Sequence, residues 1–160
     1  VSDIVLLDTS VYLNVLDVPG CNQHRLSILS EFARRVDAGD YFLLPLATVW
    51  ETGNRIARLP NGTSRRSYAQ RLVTSVTQAI DGEAPFRATH FPPSDEFARW
   101  LLDFPEHASR NKSPRKTGEG VSLADMSLIK EWERTCSLHK MSRVLIWSLD
   151  TDLSVYDHRP

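Results

Sequence analysis

Two apolar patterns alternate along the chain. Ile4-Val5-Leu6-Leu7, Tyr41-Phe42-Leu43-Leu44 and Val144-Leu145-Ile146-Trp147 are apolar without interruption. Runs this short, with no polar residue between, predict strands buried on both faces, as in a parallel sheet covered by helices. Between them apolar residues return at helical spacing. They predict helices over 9–16, 24–36, 47–59, 64–80 and 121–138, and one from Ser94 that Pro105 ends. Residues 86–91 read as a weak strand or extended segment. Residues 106–120 carry no apolar pattern and read as a mobile basic loop. The alternation predicts an α/β fold, a three-layer α/β/α sandwich with a mostly parallel central sheet, in a single domain over 1–160.

Composition narrows the setting. The 160 residues suffice for one real core; 41% are hydrophobic and 24% charged, as in ordinary globular chains. The net charge of −1 excludes a global basic field, so any nucleic-acid surface must be a local patch. Cys21 and Cys136 stand far apart, which predicts no disulfide framework and a reducing, cytoplasmic setting. No apolar run approaches membrane-spanning length. The chain enters its first strand almost at once, which leaves no room for a signal peptide. The lack of an initiator Met suggests processing or trimming.

Acidic residues recur where strands end and crossover helices begin. Asp8 closes the first strand, Glu51 lies one turn past the second, Asp125 opens the helix feeding the last strand, and Asp150 and Asp152 follow that strand. Each has a local alternative. Asp8 or Thr9 suits a helix cap, Thr48–Glu51 and Ser122–Asp125 are spaced as capping boxes, and Asp150 and Asp152 suit a turn. Two arguments favour a shared site. Asp125 falls in line with Val121, Leu128, Ile129 and Trp132, where a lone carboxylate is costly. All these places also lie at one edge of a parallel sheet, where the chemistry of such folds collects. Gathered unpaired acids repel one another, and a hard cation with oxygen ligands, Mg²⁺ or Mn²⁺, removes that cost.

Leu-Leu-Asp8-Thr-Ser, Glu51 after the second strand, Ala-Asp125 in a late helix and Leu-Asp150-Thr-Asp152-Leu resemble, in order and over nearly the whole chain, the PIN domain. The family comprises metal-dependent ribonucleases and includes toxins of bacterial toxin–antitoxin pairs. The resemblance implies a parallel sheet between helices and one or two Mg²⁺ or Mn²⁺ ions that activate water for RNA cleavage. By it, Asp8, Glu51, Asp125 and Asp150 are the core acids. Asp152 replaces or assists Asp150, a choice the sequence leaves open. Thr9 or Ser10, and Ser148, match hydroxyls near the metal. An antitoxin partner and a homodimer are further implications. The chain exceeds the compact toxins in length, mainly between Pro60 and Gly120.

Arg110, Lys112, Arg115 and Lys116 are the candidate phosphate contacts of the basic loop. Arg65, Arg66 and Arg71 read as a solvated helix face. The five histidines have no metal-like spacing, and Trp50, Trp100, Trp132 and Trp147 fall on core stripes. Asp150-Thr-Asp152 after a strand also resembles the nucleophile motif of haloacid-dehalogenase-type phosphatases, but too little chain follows it. The rival from another class is a PIN-like module that binds RNA or a protein without cutting.

Overall fold

The computed structural model describes residues 2–160. Ile4–Leu7 (β1) is the middle strand of a five-stranded sheet. Tyr41–Leu44 (β2) and Phe86–Ala88 (β3) extend it on one side, both parallel. Val144–Trp147 (β6) pairs parallel on the other side and Asp157–His158 (β7) closes that edge antiparallel. The spatial order is β3-β2-β1-β6-β7.

The helices are Thr9–Val15 (α1), Arg25–Asp37 (α2), Leu46–Ala57 (α3), Gly62–Asp81 (α4), Ser94–Ser109 (α5), Leu123–Leu138 (α6) and Thr151–Ser154 (α7). Side chains of a strand alternate between faces, so β1 serves two cores. Val5 and Leu7 pack with Val11, Tyr12, Ile28, Phe42, Leu44 and Ile56. Ile4 and Leu6 pack with Leu128, Ile129, Val144, Ile146 and Leu153. Because both faces are covered, β1 has no polar position at all. The three-layer α/β/α arrangement with a mostly parallel sheet follows.

Two expectations need correction. Pro105 does not end α5, which continues to Ser109. Proline denies a hydrogen bond to the carbonyl four residues earlier, here that of Leu101. Leu101 and Pro105 are both exposed, so that carbonyl is on the solvent side. Residues 106–120 are likewise not a loop. Their first four finish α5, and Asn111–Ser113 (β4) and Lys116–Gly120 (β5) form an antiparallel hairpin turned at Pro114-Arg115. Gly120 is pressed against the Ala108 backbone at the end of α5 and leaves no room for a Cβ. Val121 N–H donates to the His107 carbonyl at 3.1 Å beside it.

Candidate functional site

Asp8 follows β1 directly and its N–H donates to the Trp147 carbonyl at 3.0 Å, which places it between the ends of β1 and β6. It occupies the N-cap position of α1, yet its side chain makes no cap bond. Ser10 and Ser148 hydroxyls instead donate to Asp8 Oδ2 at 2.8 and 2.7 Å. Those serines are fixed in turn: Leu149 N–H donates to Ser10 Oγ and Asp150 N–H to Ser148 Oγ, both at 3.0 Å.

Glu51 projects from α3, and Thr9 Oγ1 donates to its Oε2 at 2.9 Å. Thr48 does not cap that helix; its hydroxyl donates to the Leu7 carbonyl at 2.7 Å and locks α3 to β1. Asp125 sits in the first turn of α6. Ser122 Oγ accepts from Asp125 N–H at 3.0 Å, so the serine caps the helix and the Asp125 carboxylate is released for other work.

Asp8, Glu51, Asp125 and Asp150 line one cavity of about 490 Å³, with Thr9, Ser10 and Lys112. Asp8 and Asp125 are 4% and 7% exposed. Burial raises the Glu51 carboxyl above its ordinary value; Thr9 opposes this, and Asp125 and Asp8 reinforce it. Burial likewise raises Asp125, with Lys112 opposing and Asp8 and Asp152 adding. These mutual charge effects place the acids within one another's fields.

Asp152 does not line the cavity. Its side chain, 5% exposed, is covered by the hairpin lysines. Lys116 Nζ lies 3.1 Å from Asp152 Oδ1 and 4.0 Å from Asp150 Oδ1. Lys112 Nζ lies 3.3 Å from Asp125 Oδ2 and 3.9 Å from Asp152 Oδ2. Burial alone pulls the Lys112 ammonium down, but Asp125, Asp152 and Glu119 together hold it above its usual value. Lys112 and Lys116 are therefore not free phosphate contacts: the acids have turned them inward. Of the other two residues in that set, Arg110 is tied to Glu106 at 3.0 Å, and Arg115 is exposed at the hairpin tip.

The donor set consists of hard carboxylate oxygens, as Mg²⁺ or Mn²⁺ requires. Among the described residues, Asp8 Oδ1, Glu51 Oε1 and Asp125 Oδ1 have no protein partner, so each acid is anchored by one oxygen and keeps another for a ligand. No three His, Cys, Asp or Glu side chains among the described residues stand close enough to be a ready metal cage. The residues fit a hard cation in chemistry, and binding one requires them to draw together.

Several lining residues escaped the sequence reading. Arg55 on α3 and Arg58, the C-cap residue of that helix, share the cavity wall with Glu51, four and seven residues after it, a spacing that keeps them on one face. Neither has an ion-pair partner among the described residues. Buried Asn14 receives the His24 N–H on Oδ1 at 3.0 Å and donates to the Ser10 carbonyl at 2.8 Å. Trp50 is 60% exposed, not a core residue, and meets exposed Phe91 edge-on at 5.7 Å.

Among solved structures, the chain resembles FitAcB from Neisseria gonorrhoeae at 20% identity and a TM-score of 0.53, over 95% of this chain and 91% of that one. It also resembles a structure of FitAB bound to an IR36 DNA fragment, at 19% identity and a TM-score of 0.52, over 95% and 89%. The fold is PIN-like. At this identity the likeness carries the fold and nothing finer. No protein-family model and no curated protein matches the chain. The acids thus stand at the carboxyl edge of a PIN-like sheet, at the strand ends and helix starts named from the sequence. No helix among the described residues is long and apolar enough to cross a membrane.

Proposed function

We propose that the chain is a metal-dependent ribonuclease, an endonuclease that hydrolyses RNA phosphodiester bonds. The observation that carries this reading is the set of three unpartnered carboxylate oxygens, on Asp8, Glu51 and Asp125, lining one cavity. Asp8, Glu51 and Asp125 are the ligands of Mg²⁺ or Mn²⁺ in this reading, and Asp150 reaches the same rim. A bound ion supplies an activated water and offsets charge on the scissile phosphate.

The chain's own residues do the rest. Ser10 and Ser148 hold Asp8 by Oδ2, which leaves Oδ1 for the ion. Thr9 holds Glu51 by Oε2, which leaves Oε1 of this half-buried carboxylate to ligate the ion. The water oxygen bonds to phosphorus, the P–O bond to the leaving sugar breaks, and the leaving oxygen takes up a proton from solvent. Arg55 and Arg58 receive the flanking phosphates that the carboxylates would otherwise repel. By the family resemblance the chain acts as a toxin held by an antitoxin protein, with a homodimer as its further assembly.

The missing ready cage favours one second reading, a PIN-like module that binds RNA or a protein without cutting. Labelled RNA incubated with Mn²⁺ separates the two. The expected result is cleavage that stops with EDTA and falls at least about a hundredfold in Asp8→Asn, the scale for losing a group that acts on the transition state. Cleavage that survives either change overturns the metal mechanism. Retention of RNA with no cutting supports the binding module.

A further inference from the structure

Asp125 belongs to two different surroundings at once. Its Oδ1 has no protein partner among the described residues, as is true of Asp8 Oδ1 and Glu51 Oε1. Toward the hairpin its Oδ2 is taken by Lys112 at 3.3 Å. Behind Lys112 stand Asp152 and Asp150, both against lysines. Asp152 has one oxygen on Lys112 and the other on Lys116, and Asp150 Oδ1 is at the edge of the Lys116 ammonium.

We propose that Lys112 takes the place of a second cation, so that the centre binds one divalent ion per chain and keeps the lysine inside it. The proposal rests on the metal reading above. An ammonium between Asp125 and Asp152 neutralises what a second metal ion would neutralise. To enter there, an ion has to break both lysine contacts of a carboxylate whose side chain is 5% exposed. On the cavity side Asp8, Glu51 and Asp125 each keep one oxygen outside any ion pair, so an ion has only to draw the three carboxylates together.

The lysines are also delivered by a frame, not by a free loop. β4 and β5 pair through their backbones, Lys116 N–H donates to Ser113 Oγ at 3.1 Å, and Gly120 fixes the hairpin against α5. Lys112 itself lines the cavity. The Lys112 ammonium is directed to Asp125 and Asp152. Lys112 is thus a positioning and charge-neutralising residue of the centre, and Lys116 holds the Asp152 that holds it. Asp150 remains a rim acid, and Asp152 serves the lysines.

The test is titration of the full chain with Mn²⁺ alone, read by calorimetry. One ion per wild-type chain is expected, one in Lys112→Arg, and two when Lys112→Met is combined with Lys116→Met. Two ions in the wild type, or one in the double variant, overturns the proposal. No ion in the wild type overturns the metal reading itself, so the two failures are distinct. A second measurement needs no variant: acetylation of individual lysines followed by mass spectrometry at saturating Mn²⁺. Lys112 is expected to stay as slow to react as in EDTA. A rise of tenfold or more at Lys112 on adding Mn²⁺ shows the ion displacing it and overturns the proposal.

Discussion

Glu131 is the most deeply buried acid of the chain, 2% exposed on α6. Thr89 Oγ1 donates to its carboxylate, 2.9 and 3.0 Å from the two oxygens, and accepts the N–H of Leu46, the first residue of α3, at 3.2 Å. Arg134 is 4.0 Å away, too far to compensate fully. Burial pushes the carboxyl up from 4.5 to about 7, with Thr89 and Arg134 opposing. The folded chain therefore keeps this proton at pH values where the unfolded chain has lost it. Its stabilising contribution is full below about pH 4.5 and is lost as pH rises through about 7. At about 1.4 kcal/mol per tenfold change in proton affinity, ionised Glu131 costs up to about 3 kcal/mol. Urea unfolding is expected to find Glu131→Gln more stable than wild type at pH 8 by about 1–3 kcal/mol, with the gap closing toward pH 5. Glu51 and Asp125 tilt the wild-type curve the same way, so the difference between the chains isolates Glu131. An equal gap at both pH values would sink this account.

At the scale of elements, the chain was legible wherever apolar residues set a period. β1, β2 and β6 stood out because burial on both faces leaves no polar position. α6 stood out because Asp125 interrupts an otherwise apolar stripe. The β4–β5 hairpin was invisible for the complementary reason: Asn111 to Gly120 contains no large apolar residue, and its order comes from backbone pairing and ion pairs with residues distant in sequence. The sequence pattern therefore reveals the acids, but reads the lysines that neutralise them as phosphate contacts. Trp50 misled in the opposite sense, since its place in a helical rhythm does not say that the helix buries that face. Gly120 is the hairpin's weak point. A methyl group there collides with the Ala108 backbone, so Gly120→Ala must push β5 off the end of α5. Hydrogen exchange is expected to speed up at least tenfold across Asn111–Gly120 in that variant, while β1, β2 and β6 keep wild-type rates. Unchanged protection of the hairpin would show that its anchor lies elsewhere.

The whole molecule carries one net negative charge, so it draws a polyanion only through a local surface. With Lys112 and Lys116 spent on acids and Arg110 tied to Glu106, the unpaired cations of the cavity wall are Arg55 and Arg58. Arg55 lies on α3, the helix that carries Glu51, and Arg58 is the C-cap residue of that helix. At about 1.5 Å rise per residue, Trp50 to Arg58 spans about 12 Å along that helix, room for two successive nucleotides of an extended strand. Exposed Trp50, on the same helix, and Phe91 against it offer aromatic faces of the kind a splayed base uses. If each arginine meets one phosphate, Arg55→Ala and Arg58→Ala each lower the slope of log affinity against log salt by about 0.7, the value for one phosphate of a single strand. Binding is to be measured with Asp8→Asn as background, so that no RNA is consumed. Arg110→Ala is the control and should leave the slope unchanged, because its guanidinium already has a carboxylate partner. The reverse outcome, a slope that falls with Arg110 and not with Arg55 or Arg58, would move the RNA off α3 and onto the outer face of α5 and the hairpin.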